Sequence, residues 1–350
     1  MGKVIKKKVL ITGSRGLLGS SCIELFRKKD WDVIGIDNNA RSKNLGTPSK
    51  KTGHDITNLH IDFTDAGKVF SLFEEHSFDA VIHAGAQASH DWSNDHVLED
   101  FITNAMGTVL LLEATRQHSP DAVFVYVSTD KVYGENMKRT GWKGDMFVDH
   151  NDYSFHEQET RFHSNEPFAE DLGLDFAGHR SPFGCSKTTG DIYAQEYAHT
   201  FGLKTGIFRP GCITGKNHEG AELHGFLAYI AKCVRTGTPY KIFGFGGKQV
   251  RDQIHADDLA NAFWHFIQEP RIGEVFNIGG GPERSVSVLE AINLIEEETG
   301  KKAIYDFYDA RPGDRVWDVH DVSKFREHYP EWNYEYDLKD IIKDVVSKKL

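Results

Sequence analysis

Val9-Leu10-Ile11-Thr12-Gly13-Ser14-Arg15-Gly16-Leu17-Leu18-Gly19 is the stretch whose reading decides the fold. A short apolar run reaches a glycine turn at Gly13, and residues 17–29 then carry a helical pattern. Gly13 suits the tight turn, Gly16 lets backbone approach a pyrophosphate, and Gly19 permits close packing of helix on strand. The unpaired N–H groups at the helix start face the anion. A second apolar run, Val33-Ile34-Gly35-Ile36, ends at Asp37, eighteen residues beyond Gly19, where a carboxylate would hold an adenosine ribose. Strand, turn, helix and acid together predict a dinucleotide site built from Gly13, Arg15, Gly16, Leu17, Gly19, Asp37 and Asn38. Asp37 would repel a 2′-phosphate and so favours NAD over NADP, although Arg15 and Arg41 could each meet such a phosphate.

The same rhythm continues outward. Leu59-His60-Ile61 ends at Asp62-Phe63, Ala80–His83 ends at Ala84-Gly85-Ala86, and residues 123–127 end at Ser128-Thr129. Apolar runs alternating with helical patterns predict an α/β fold with a doubly wound parallel sheet of the Rossmann type, covered on both faces. Ligands in such sheets sit beyond the carboxyl ends of the strands, where these motifs fall. Asp62 is a candidate for the adenine amino group, or an ordinary strand-end turn residue. Residues 1–210 are expected to form the cofactor domain, with a polar surface loop over 38–57. Residues 135–180, which include His150, His156, His163 and His179, form an insertion too long for a structureless connection, so a lid or subunit contact is expected. Residues 211–350 read as a smaller, mainly C-terminal α/β substrate lobe, with 250–265 returning to the first domain.

Composition narrows the function. The 350 residues are 39% hydrophobic and 27% charged, which are globular values. A net charge of −11 without a long basic run argues against a nucleic-acid partner. The lysines at 3, 6, 7 and 8 precede no leader-like apolar region, and no run has membrane-spanning length. Cys22, Cys185, Cys212 and Cys233 are scattered and read as reduced thiols of a cytoplasmic enzyme. The His- and Glu-rich stretch 217–225 has no helical metal-ligand spacing, so no metal is expected; Glu222 and His224 are assigned to a substrate-lobe loop.

Several further stretches carry a resemblance. They are Gly13-x-x-Gly16-x-x-Gly19, Asn104-x-x-Gly107-Thr108, Val127-Ser128-Thr129-Asp130-Lys131-Val132-Tyr133-Gly134 and Phe183-x-x-x-Lys187. Phe208-Arg209-Pro210, Arg251-Asp252-x-x-His255-x-x-Asp258 and Asn277-Ile278-Gly279-Gly280-Gly281 complete the set. Nearly the whole chain resembles the extended short-chain dehydrogenases/reductases, within them the NAD-dependent nucleotide-sugar epimerases and dehydratases. Ser181–Lys187, 196–209, 247–258 and Gln87-Ala88-Ser89-His90-Asp91-Trp92 look most like the CDP-paratose (CDP-tyvelose) 2-epimerase branch. The resemblance implies NAD as cofactor, with Asp62, Phe63, Ala84, Gly85, Ala86, Asn104 and Lys187 beside it. It implies a nucleotide-diphosphate sugar as substrate, CDP-linked by preference, met by Gln87, His90, Asp91, Thr129, Arg209, Glu222, His224, Arg251 and Arg311. It also implies a homodimer formed through the helices around 95–118 and 184–201.

Phe183 departs from the pattern. The resemblance gives Thr129 the bond to the reacting sugar oxygen and Lys187 the nicotinamide ribose. Lys187 would also lower the pKa of a tyrosine phenol, but that tyrosine position is held by Phe183. A phenyl ring carries no proton, and a positioned acid–base group contributes typically about 10²–10⁴-fold. Three readings follow: an engineered tyrosine-to-phenylalanine change, a natural branch using another base (Asp130, Tyr133, His90, Asp91 or the 135–180 segment), or a non-catalytic nucleotide-sugar binder. Lys131 stands where 4,6-dehydratases carry glutamate, which weakens that reading. Epimerisation through a transient ketosugar, at C2 of a CDP-hexose, is the leading expectation. A UDP-sugar 4-epimerase, a nucleotide-sugar dehydrogenase and a 4,6-dehydratase are the alternatives.

Overall fold

The computed structural model describes residues 6–40, 57–134, 156–163, 167–175, 178–216, 218, 220, 222, 225–311 and 314–347. Arg41, His150, His224 and most of the loops expected over 38–57 and 135–180 lie outside these residues.

Seven parallel strands form the central sheet: β1 (Lys8–Thr12), β2 (Asp32–Ile36), β3 (Thr57–Leu59), β4 (Ala80–His83), β5 (Val123–Val127), β6 (Lys204–Pro210) and β7 (Glu274–Ile278). Their spatial order is β7-β6-β5-β4-β1-β2-β3, so the winding reverses between β1 and β4, and the ligand crevice of such a sheet opens at that point. The helices that cover the sheet are α1 (Leu17–Lys28), α2 (Ala66–Glu75), α3 (Gly107–His118), α4 (Ser181–Phe201) and α5 (Ala256–Gln268).

Alternation along β1 shows why both faces are covered. Val9 and Ile11 join the core beneath α1 and α5, whereas Leu10 points into the core beneath α2, α3 and α4. α5 lies beside α1, and Trp264 meets Phe26 edge-on at 5.5 Å, so residues 256–268 cover the central sheet. The third strand differs from expectation. Its last pair is Ile36↔Leu59, and Ile61 N–H turns back onto Leu59 O, leaving Asp62 in the turn rather than at a strand end.

Past β6 the chain builds a second apolar centre, where Leu227, Ile230, Ile242, Val288, Ile292 and Ile341 meet. A small sheet joins the two regions. Its strand Val250–His255 pairs with Cys212–Thr214 and Trp317–Asp318 in parallel and with Ser285–Ser287 in antiparallel fashion. That register sets Arg251 directly beside Asp318.

The first turn of α1 depends on a missing side chain. A Cβ on Gly19 would stand 2.1 Å from Gly13 O, so α1 approaches the loop backbone more closely than any larger residue permits. Gly19→Ala is expected to lower the unfolding free energy by about 1–3 kcal/mol, as overpacking does. Urea denaturation measures it, and a wild-type midpoint would contradict this close approach.

Candidate active site

The cofactor end is assembled from strand ends. Gly13 has φ +64°, and a Cβ there would lie 2.7 Å from the Gly85 Cα, so the loops after β1 and β4 touch backbone to backbone. Thr12 Oγ1 accepts from Gly85 N–H at 2.9 Å and is 2.7 Å from His83 Nδ1, which locks that contact. Gly16 precedes α1 without a side-chain cap, so the first N–H groups of the helix remain available to an anion. Asp37 accepts from the N–H groups of Arg15 (3.0 Å) and Asn39 (2.7 Å), and the Arg15 guanidinium reaches Asn39 Oδ1. Arg15 Nε is buried without a partner among the described residues. Asn38 donates to Asp62, whose carboxylate also accepts from Thr64 N–H and hydroxyl. Although burial works against it, these bonds hold the Asp62 carboxyl below its usual range. Phe63 is buried, wedged where Cβ atoms on Gly85 and Gly107 would otherwise sit, and so supports the loop from beneath. Leu17 opens α1, Ala84 packs against the core, and Ala86 is exposed at the crevice mouth. A glycine cradle with free N–H groups and a ribose-side carboxylate fits NAD.

Asn104 was read as a cofactor residue, and its position explains how it shapes the site. It lies in a π-helical turn, Ile102–Met106, set between the helix Val97–Phe101 and α3. Such turns are rare and tend to mark functional sites. Its side chain accepts from Gln87 N–H at 2.9 Å and donates to Gln87 O at 3.0 Å, holding the loop after β4. Gln87 in turn donates to buried Asp100, which also accepts from Ser186 of α4. Burial pushes the Asp100 carboxyl up. Sequence reading missed Asp100, which belongs to no recognised motif, and Ser186, which stands at an unspecified position within Phe183-x-x-x-Lys187.

The residues expected to meet the reacting sugar gather at the end of β5. Thr129 is buried, and its hydroxyl donates to Asp130 Oδ1 at 3.0 Å. One helical turn separates Phe183 from Lys187, which puts both on the same face of α4. Phe183 is buried, and its N–H donates to Ser93 Oγ of the helix His90–Asp95. Lys187 donates to Val127 O at 2.6 Å and lies over the Tyr126 ring. Burial lowers its pKa to about 7, with Asp191 and Asp100 opposing. Burial and Lys187 also keep His83 neutral.

Two expected site residues serve the scaffold. Arg209 makes a buried two-point ion pair with Asp191, at 2.9 and 2.8 Å, and donates to Tyr133 Oη. It therefore has no free edge for a phosphate. Tyr133 is fully buried and donates to Asn277 Oδ1 at 2.7 Å, while burial pushes its phenol up. Those contacts remove it from the groups available to move a substrate proton.

On the substrate side, Arg311 is part-exposed, 3.2 Å from Asp91, and spans the Phe243 ring. Arg251 is more occupied: it donates to Asp314, Arg315 O and Val250 O. Asp314 lies in the fields of Arg251, Lys131 and Arg311, which together hold it ionised against burial. His90 Nδ1 is buried without a partner among the described residues, and burial followed by Lys131 lowers its pKa. Glu222 is exposed and pairs with Lys241 at 2.9 Å, on the rim.

A parallel sheet wound about β1 and β4, a glycine cradle and a Thr/Lys pair at the crevice define a dinucleotide-dependent enzyme of the Rossmann class. The model of the NAD dependent epimerase/dehydratase family matches residues 9–279, and the chain belongs to that family, with NAD as its cofactor. It is 31% identical to CDP-paratose 2-epimerase of Salmonella typhi, over 95% of this chain and 96% of that one. It is 28% identical to a dTDP-glucose 4,6-dehydratase of Xanthomonas campestris, over 93% and 89% of the two chains. Among solved structures, UDP-glucose 4-epimerase of Thermotoga maritima with UDP-glucose superposes with TM-score 0.79 at 25% identity, covering 97% of each chain.

The buried lysine gives a pH signature. Its folded pKa, about 7, lies below the ordinary 10.5, so between these values the unfolded chain binds the extra proton. The unfolding free energy of the cofactor-free protein should therefore rise with pH across that window, by up to about 1.4 kcal/mol per unit. Denaturation series for the wild type and Lys187→Met check this. The variant should lose that part of the slope, and parallel curves would contradict the assignment.

Proposed function

We propose that the protein is a nucleotide-diphosphate-sugar epimerase that inverts one sugar carbon through a transient ketosugar, acting at C2 of a CDP-hexose. The observation that carries epimerisation over dehydration is Lys131. It occupies the position of the dehydratase glutamate and puts an ammonium there, ion-paired with Asp130 at 3.4 Å and Asp318 at 3.7 Å, in place of the side chain that would abstract a carbon-bound proton. The CDP-hexose assignment draws on the likeness to CDP-paratose 2-epimerase.

NAD, when bound, would supply the hydride acceptor and donor that inversion through a ketosugar requires. The residues of the chain do the rest. The α1 N-terminus and Asp37 seat the dinucleotide, and Lys187 lies beneath β5 to meet the nicotinamide ribose. Thr129 Oγ1 receives the reacting hydroxyl. Arg311, with Arg251 once Asp314 yields to the substrate, holds the pyrophosphate by bidentate contacts. Gln87, His90 and Asp91 flank the sugar. With Phe183 in place, the proton passes to a group other than a phenol; the titratable groups around Thr129 are Asp130, which already accepts from the Thr129 hydroxyl and Arg315, and His90, whose Nδ1 has no partner among the described residues. We also assign a homodimer: Leu98, Phe101, Met106, Ile192 and Phe201 expose apolar side chains on the two helices expected to pair. The free thiols support a cytoplasmic setting.

A panel of CDP- and UDP-sugars, deuterated at the carbon to be inverted, tests this reading. Epimerisation of a CDP-hexose should keep the deuterium on the product, and Phe183→Tyr should change kcat by less than about tenfold, since the base lies elsewhere. Washout of label into water would contradict the hydride route. Recovery by orders of magnitude in Phe183→Tyr would show that this site was built for the phenol. Tight binding without turnover of any sugar would make the protein a binder.

A further inference from the structure

Beside Thr129 lies a pair of carboxyl groups, of which the reading above names only Asp130. Asp130 Oδ2 is 2.9 Å and Asp318 Oδ2 3.1 Å from the same nitrogen, Arg315 Nη1. Asp318 comes from the short strand Trp317–Asp318, held by its pairing with the strand that carries Arg251. Its side chain is 5% exposed, and Oδ1 has no partner among the described residues. A buried carboxylate oxygen left unbonded costs roughly 1–3 kcal/mol, more when charged, unless a proton or ligand occupies it. Asp130, at the other end of the pair, already accepts the Thr129 hydroxyl.

We propose that Asp130 and Asp318, bridged by Arg315, form a carboxyl pair that takes up the substrate proton through Thr129 and so replaces the phenol absent at Phe183. This rests on the epimerase reading. The proton of the reacting sugar hydroxyl passes to Thr129 Oγ1 while the Thr129 proton moves to Asp130 Oδ1. The electron pair left on the sugar oxygen closes the carbonyl as the hydride leaves its carbon for oxidised NAD. The pair goes from two carboxylates to one carboxylate and one carboxylic acid, and the reverse transfer completes the inversion.

The surroundings push the proton affinities of the two carboxyl groups apart. Burial and the Asp130 charge raise Asp318, while Lys131 and Arg315 hold Asp130 down against burial. The other groups facing the pair are Arg251, Asp314, His90, Cys212 and the His320–Asp252 pair. Like charges this close titrate as a unit, so the uptake belongs to both residues.

Infrared titration of the NAD-loaded protein tests the pair without any sugar. Beyond the contributions of the other buried acids, Asp100, Glu170 and Asp258, a carboxylic-acid carbonyl component should persist above the ordinary carboxylate range, and that component should be lost in both Asp318→Asn and Asp130→Asn. With substrate, Asp318→Asn should move the acid limb of kcat/KM down by about one unit while leaving KM near wild type. The absence of such a component in the wild type would overturn the proposal, even if the variants fail to fold. Its survival in both variants would do the same. That component without turnover would leave the pair standing and remove the epimerase reading; turnover without it would do the opposite.

Discussion

The buried ion pair between Arg209 and Asp191 is the constraint on which the site geometry depends. Asp191, wholly enclosed in α4, accepts from two guanidinium nitrogens of β6 and from Ser128 Oγ at the end of β5. Arg209 passes the connection on to Tyr133, and Tyr133 to Asn277 of β7. One chain of bonds therefore fixes where β5 ends, how α4 crosses it and how the turn carrying Thr129 and Asp130 is aimed. Removing one member of such a pair strands a buried charge, typically at about 3–5 kcal/mol, so the arrangement is rigid where catalysis needs rigidity.

Given that frame, the loss of a phenol is a local event. Phe183 fills the space with a ring, and Lys187 keeps its place through Val127 O. The proposed route differs in which side of Thr129 handles the proton. On the α4 side Phe183 has no proton to exchange, and Lys187 is engaged with Val127 O. On the other side, Asp130, Arg315 and Asp318 bring charge and an unsatisfied oxygen into a space nearly closed to water, where electrostatic interactions are strong.

How much could be read from the chain follows from how local each feature is. Gly13, Gly16 and Gly19 lie within one turn and one helix start, and their spacing carries the same physics seen in the contacts with Gly85 and the loop backbone. Phe183 and Lys187 share a helix face and were legible for that reason. Asp37 comes to lie beside the glycine loop, on the Arg15 N–H, because a strand end so soon after that loop has few places to go. Tyr133 misled because its partners, Arg209 and Asn277, come from other parts of the chain and consume the hydroxyl that looked available, while Arg209, as apt for a structural salt bridge as for a phosphate, makes that salt bridge with Asp191. Arg315 and Asp318 gave no signal at all. Their meaning arises only when Trp317–Asp318 pairs beside Arg251, a register that no periodicity in the sequence announces. The third strand ended early for a similar reason, since Ile61 looks like strand but bonds back to Leu59.

The central claim is that the substrate hydroxyl meets Thr129 on its carboxylate side. A crystal structure with NAD and a CDP-hexose tests it most directly. The account predicts the reacting hydroxyl within hydrogen-bonding distance of Thr129 Oγ1, the Thr129 hydroxyl still directed at Asp130, and the pyrophosphate on Arg311 and Arg251. A sugar whose hydroxyl lies against Phe183 and Lys187, out of reach of Thr129, would contradict it.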